Sequence, residues 1–256
     1  MAFFALAIGQ AADRMQVGMM EQRHAVFERQ AFAGRELLRN LLKALKAIQH
    51  PLNYIRCVPC MITSASILVV AATERELAAG PWRRLLCGVG PVEAAAATAA
   101  EIARARPDAI LHVGIAGARR RCGLAIGSLV IGSESHYCDL GVSAEWAPST
   151  VGASAALVAA ARSALPAAAL MPIGTSARID GTSVDAGVNV EAMEGFGVLR
   201  AAAIARIPAV EIRAISNEVE ETDRARWQFA NAFSAITAAT PLLVAEIERV
   251  LRQDHA

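Results

Sequence analysis

The stretch Asn189-Val-Glu-Ala-Met-Glu-Gly-Phe-Gly-Val198, with its sequel Ile207-Pro-Ala-Val-Glu-Ile-Arg-Ala-Ile-Ser-Asn217, sets the reading of this chain. Gly195 to Ala205 is apolar and alanine-rich, which predicts a helix beginning directly after Glu194. Pro208 closes that helix, because proline lacks an N–H and pushes the residue before it towards extended geometry. Ala209 to Ile215 then reads as a strand ending in Ser216-Asn217. A carboxylate thus precedes a helix, and a polar pair ends the following strand. In open α/β sheets that is where ligands bind. Each piece alone has a plainer reading: a glutamate at a helix start favours the helix dipole, and Ser-Asn after a strand is turn chemistry.

Working outward, the same alternation recurs. Ile67 to Ala72 and Leu85 to Val89 read as strands, and Val92 to Ala105 as an Ala-rich helix. Asp108 to Val113 is a strand running into Gly114-Ile-Ala-Gly117. Gly127 to Glu134 is another, followed by His136-Tyr-Cys-Asp-Leu-Gly141 and a polar loop to Gly152. A helix is expected over Ala153 to Leu165, a short strand or two within Met171 to Ile179, and one long helix over Arg224 to Arg252. Continuous apolar strands separated by helices argue for an α/β fold with a mostly parallel sheet covered on both faces.

Residues 1–60 differ. Leu37, Leu38, Leu41, Leu42 and Leu45 recur at helical spacing among Arg35, Arg39, Lys43 and Lys46, within a helix-like segment from Glu21 to Ile48. Met61 is followed at once by the first apolar strand. Such a basic amphipathic helix packs in a core or lies on a partner or membrane; the reading favoured is that 1–60 is an extension from a mis-assigned start, with Met61 the true start and a single domain over 61–256.

Composition excludes several classes. A chain of 256 residues, 55% hydrophobic, can bury one large core. A net charge of +1 and few aromatic residues give no basis for a nucleic-acid surface. No apolar run reaches the ~18 residues that span a bilayer, and five cysteines do not form a disulfide framework. Cys57-Val-Pro-Cys60 lacks a second pair at zinc-ligand spacing. The five histidines (His24, His50, His112, His136, His255) show no paired spacing with carboxylates, so no metal is expected. His112, inside an apolar strand, reads as a satisfied core residue. Gly88-Val-Gly90 lacks the third glycine of a dinucleotide site, and no Gly-x-Ser-x-Gly elbow is present. The reading is a soluble cytoplasmic protein with no membrane, nucleic-acid or cofactor partner.

Five motifs fall in an order that resembles the nucleoside phosphorylase and nucleosidase superfamily: Val69-Val-Ala-Ala-Thr-Glu-Arg-Glu76, Cys87-Gly-Val-Gly-Pro-Val92, Gly114-Ile-Ala-Gly117, Glu191-Ala-Met-Glu-Gly195 and Glu211-Ile-Arg-Ala-Ile-Ser-Asn217. Within it, Asp139-Leu-Gly141, Met193-Glu-Gly195 and Glu211-Ile-Arg213, with Asp223-Arg224 and Trp227, most resemble the futalosine hydrolase branch, which serves an alternative route to menaquinone. The resemblance implies a three-layer α/β nucleoside-phosphorylase-like fold and cleavage of a ribose–purine N-glycosidic bond, with no cofactor. It implies a homo-oligomer, since relatives often complete the site with a neighbouring subunit.

It further implies that Glu194 holds the ribose hydroxyls above Met193, that Glu76 orients and deprotonates water, and that Asn217 meets the purine N7/O6 edge. Gly114, Ile115, Ala116, Gly117 and Ser216 would complete the substrate contacts. Asn217 departs from the aspartate of adenine-cleaving relatives; an amide suits a 6-oxopurine such as hypoxanthine. Arg178 stands where relatives place an aromatic residue, and would stack on the purine or pair with a substrate carboxylate. Phosphorolysis stays open beside hydrolysis, since Arg119-Arg-Arg121 offers cations for an anion site; so do cleavage of other purine nucleosides and a non-catalytic nucleoside-binding role.

Overall fold

The computed structural model describes residues 67–179 and 187–253. The extension 1–60 with its expected helix, Met61, the Cys57/Cys60 pair, and His24, His50 and His255 lie outside the described residues.

Among the described residues, eight strands and four α-helices follow one another: β1 (Ile67–Ala71), β2 (Arg83–Leu86), α1 (Pro91–Arg104), β3 (Ala109–Ala118), β4 (Leu129–Tyr137), β5 (Thr150–Gly152), α2 (Ala155–Ala164), β6 (Ala169–Thr175), β7 (Val190–Ala192), α3 (Gly195–Ile204), β8 (Ala209–Glu218) and α4 (Phe229–Gln253). Pro91 opens α1, a position where its missing N–H costs nothing. The single sheet runs β2-β1-β3-β7-β6-β4-β5, with β8 paired to both β3 and β4. Parallel pairs predominate, as expected. β4 however runs antiparallel to β5 and β8, and the end of β3 antiparallel to β7, so the sheet is mixed.

Strand alternation sends side chains to both faces. Ile67, Val69 and Ala71 of β1 pack with Leu111, Ile212 and the buried sides of α2 and α4. Leu68 and Val70 point the other way, onto Ala94 of α1 and Phe196, Leu199 and Ala202 of α3. Three layers result. α4 has the length and hydropathy of a membrane span, but Ala232, Ile236, Leu243, Val244 and Ile247 on one side of it are buried in this core.

The structure moves several expected boundaries. β4 continues past Glu134 to Tyr137, so His136 is a strand residue; it meets Glu134 at 2.8 Å. β8 likewise continues through Ser216 and Asn217 to Glu218. These two residues therefore belong to a strand, and the turn reading of them fails. Arg224–Arg226 is a separate 3-10 turn, with Asp223 Oδ1 accepting from Ala225 N, and α4 begins at Phe229.

Two substitutions on α4 test this layering. Ile236 is fully buried and Leu242 is 56% exposed. Ile236→Ala should cost about 2–5 kcal/mol and Leu242→Ala under about 0.5 kcal/mol, read from denaturant midpoints; equal costs would contradict the assignment of the buried face.

Candidate active site

The ends of β1, β3, β7 and β8 converge on one cavity of about 330 Å³, a size suited to a small organic ligand. Glu76, Glu194 and Asn217 all line it, with Ile115, Ala116, Gly117, Met193, Ser216 and Arg178. The sequence-based set is thus brought together, except that Gly114 lies behind the wall.

Both carboxylates are held in place. Glu76, 4% exposed, ends a 3-10 turn after β1. Its Oε2 accepts from the backbone N and Oγ1 of Thr73, both at 2.8 Å, and its Oε1 accepts from Ile115 N at 3.2 Å. Glu194 is the N-cap residue of α3, yet its side chain does not cap that helix. Instead Oε1 accepts from Gly90 N, at the start of α1, at 3.2 Å. The carboxylate is therefore held by the start of a second helix rather than capping its own. Burial, the largest influence, pushes the Glu194 carboxyl above the usual carboxylate range, against the opposing pull of Arg213 and the Gly90 N–H.

Beneath Glu194 lies a buried ion cluster. Arg213 is fully buried; its Nε donates to Glu211 Oε1 at 2.7 Å, and its Nη2 to His112 Nε2 at 2.5 Å and Glu194 Oε2 at 3.4 Å. His112 Nδ1 stands 3.0 Å from the Val70 carbonyl. A carbonyl only accepts, so Nδ1 carries the proton and the Nε2 lone pair receives Arg213. Burial and the neighbouring arginine hold His112 neutral, its pKa well below the ordinary value. His112 is therefore a satisfied core residue that also orients the arginine. For Arg213 itself, burial lowers the pKa, but Glu211, Glu194 and Glu76 together more than offset this.

Two glycines make room for the cluster. A Cβ on Gly114 would lie 2.0 Å from Arg213 Nη1, and one on Gly195 would lie 2.1 Å from Glu211 Oε2. Gly114 therefore supports the site from beneath.

Asn217 sits opposite Gly117 across a β-bulge. Its Nδ2 donates to the Glu218 carbonyl at 3.0 Å, which leaves a second N–H for the cavity. The Ser216 hydroxyl is 2.7 Å from Asn217 Oδ1 and 3.1 Å from the Ala116 carbonyl; with one proton it serves one of them at a time. Arg178 is exposed at the rim, on a segment fixed by Asp139, whose Oδ2 accepts from Ala177 N at 2.5 Å.

Sequence reasoning named Trp227 as a motif residue but missed the far wall that it forms with Phe229 and Phe233. Trp227, Phe229 and Phe233 also line the cavity, ring centroids 5.6 and 6.1 Å apart in succession, and the Arg75 guanidinium lies 4.9 Å over Phe233. Phe229 and Phe233 stand four apart on α4, a spacing that puts two rings on one side of a helix. The arginines after Gly117 are engaged: Arg119 pairs with Glu191, Arg120 with Glu218 at 2.6 Å, and Arg121 with Asn189 Oδ1 at 2.9 Å. The solvated-loop reading suits Arg120, whereas Arg119 is largely buried. Among the described residues no group of three or more His, Cys, Asp and Glu could hold a metal ion.

Breaking the cluster should be costly. Arg213→Met leaves Glu211 buried without its cation, so stability should fall by about 3–5 kcal/mol. The double variant Arg213→Met/Glu211→Gln should recover part of that loss in denaturant titration. Additive losses would contradict a coupled pair.

Comparison with known proteins agrees with this architecture. Residues 73–252 match the family model described as the phosphorylase superfamily. Over 193 residues the chain is 36% identical to futalosine hydrolase of Streptomyces coelicolor, covering 65% of this chain and 80% of the relative. Among solved structures, a 5′-methylthioadenosine/S-adenosylhomocysteine nucleosidase from Colwellia psychrerythraea in complex with adenine superposes with a TM-score of 0.63 at 20% identity, covering 70% of this chain and 94% of that one. An S-adenosylhomocysteine nucleosidase from Streptococcus pyogenes gives 0.62 at 20% identity, covering 72% and 96%. With its three layers, its cavity at the strand ends and a family match over most of its length, this chain belongs to the phosphorylase superfamily.

Proposed function

We propose that this chain is an N-glycosidase that hydrolyses futalosine and releases hypoxanthine. One observation carries the reading: Glu76, Glu194 and Asn217 converge on one cavity in a chain 36% identical to a futalosine hydrolase. Cleaving a ribose–purine bond builds positive charge on the sugar, so the site needs an anion beside the ribose, a base for water and a partner for the departing purine. Glu194 supplies the first, held by Gly90 N and Arg213. Glu76 supplies the second; fixed by Thr73 and Ile115, it is oriented before water arrives. Asn217 supplies the third through its remaining N–H, directed at N7 or O6 of a 6-oxopurine. Met193 forms the floor under the ribose, and the Trp227–Phe233 wall receives the 5′ substituent, with Arg178 at the rim.

Hydrolysis is favoured over phosphorolysis because the arginines after Gly117 are already committed to carboxylate and amide partners. On this reading residues 61–256 are the nucleosidase domain, the enzyme is soluble and cytoplasmic, and it works as a homo-oligomer without a cofactor.

Glu194→Gln should lower kcat by several orders of magnitude while keeping the fold. The sign for stability follows from its raised pKa. A group raised in the folded state stabilises it when protonated, below about pH 4.3, and that contribution is lost as pH rises through the folded value. The neutral amide should therefore melt no lower than the parent at pH 7. The acid limb of kcat/KM should lie above the ordinary glutamate pKa of about 4.3; a limb at or below it would remove Glu194 as the group that must ionise.

Glu76→Gln should abolish turnover as well, and retained activity would take it out of the mechanism. Asn217→Asp should move preference towards adenine nucleosides, measured as the ratio of kcat/KM for futalosine and methylthioadenosine. An unchanged ratio would defeat the role given to the amide.

A further inference from the structure

A helix start leaves backbone N–H groups that need acceptors, and the side chain of the N-cap residue ordinarily takes one from the second or third helical position. Glu194 is the N-cap residue of α3 and leaves that task undone, because its carboxylate is turned to Gly90 N and Arg213. The N–H of Phe196, the second residue of α3, goes instead to Thr175 Oγ1 at 2.8 Å. Thr175 ends β6 and is fully buried; its hydroxyl lies 3.0 Å from that of Ser135 on β4, which is fully buried too. A hydroxyl has two lone pairs and one proton, so Thr175 Oγ1 accepts from Phe196 and still exchanges a hydrogen bond with Ser135. β6 runs parallel to β7 with Thr175 paired to Ala192, two residues before Glu194. Strand pairing thus brings the hydroxyl to the helix start. The mechanism above uses neither hydroxyl.

We propose that Thr175, held by Ser135, is a positioning residue for Glu194: it caps α3 from a neighbouring strand and so leaves the carboxylate free for the cavity. The catalytic half of the inference rests on the role given to Glu194 above. Thr175 stands behind the cavity wall and acts through Glu194, which is in it. Gly195, Phe196 and Gly197 carry no side-chain acceptor. Without the Thr175 hydroxyl, the acceptor that the helix start itself carries is the Glu194 carboxylate. A buried N–H without a partner is costly, and a carboxylate at a helix N-terminus is favoured by hydrogen bonding and by the helix dipole. Glu194 then turns from Gly90 and Arg213 to its own helix and leaves the cavity. The neutral hydroxyl of Thr175 removes that competition.

The experiment compares, in the full chain, Thr175→Val, which keeps the shape and removes the hydroxyl, with Thr175→Ser, which keeps the hydroxyl. Well below the melting temperature, Thr175→Val should lower kcat for futalosine about tenfold or more, with KM within about threefold, the split expected when a transition-state contact is lost. Thr175→Ser should keep kcat within about threefold of wild type. A purely structural cap would lower the melting temperature and leave kcat of the folded enzyme unchanged. Denaturant titration gives a second reading that involves no substrate. In a Glu194→Ala background, which has no carboxylate to turn, Thr175→Val should raise the unfolding constant about tenfold more than in the wild-type background. Equal stability costs in the two backgrounds would overturn the proposal, and so would wild-type kcat in folded Thr175→Val. If the wild-type protein leaves futalosine intact, the hydrolase reading fails alone, and the titration still decides the positioning role.

Discussion

A buried guanidinium is expensive, and the placement of Arg213 conditions most of this site. Removing a cation from water costs several kcal/mol unless charge and hydrogen bonds replace the lost hydration. Arg213 meets most of that demand with Glu211 on its own strand, His112 on the adjacent strand and Glu194 at the start of α3, while among the described residues its Nη1 and Glu211 Oε2 are buried without a hydrogen-bond partner. Each partner comes from a different part of the chain. The cluster therefore ties β3, β8 and α3 to one geometry, and Glu194 takes its position from that geometry. Gly114 and Gly195 are required for steric reasons, since any side chain at either would displace the cluster.

The same arrangement explains how two acidic groups coexist at the end of a dry sheet. Glu76 is satisfied by N–H and O–H donors from Thr73 and Ile115, and Glu194 by one backbone N–H and a guanidinium. The two carboxylates are thus held by different sets of partners. Further along the same row of strands, Glu191 and Asn217 stand on either side of Gly117. On the proposed function, the charged end of the cavity takes the sugar and the end beside Asn217 takes the base.

Much of this was legible from residues alone. The alternation of apolar strands and Ala-rich helices located β1, α1, β3, α2, α3 and β8 to within a few residues. Glu76, Glu194 and Asn217, named from motif order, line one cavity. What was missed has physical reasons. β5 and β7 are three residues each, too short to show a period. Ser216-Asn217 carries turn chemistry, but pairing with β3 on a buried sheet holds it in β8. The antiparallel pairs of β4 depend on contacts distant in sequence. Phe229 and Phe233 lie within the expected long helix and carry no motif, and only the packing of α4 beside the 3-10 turn at Glu76 brings them to the cavity. Arg213 sat in an apolar run, where a lone cation gave no sign of three partners.

The measurement that bears most directly on this account is release of hypoxanthine from futalosine in H₂¹⁸O, with and without phosphate. The account predicts fast release that ignores phosphate, with the label appearing on the anomeric carbon of the sugar product. Release that requires phosphate and yields a sugar phosphate would contradict it, as would label-free sugar.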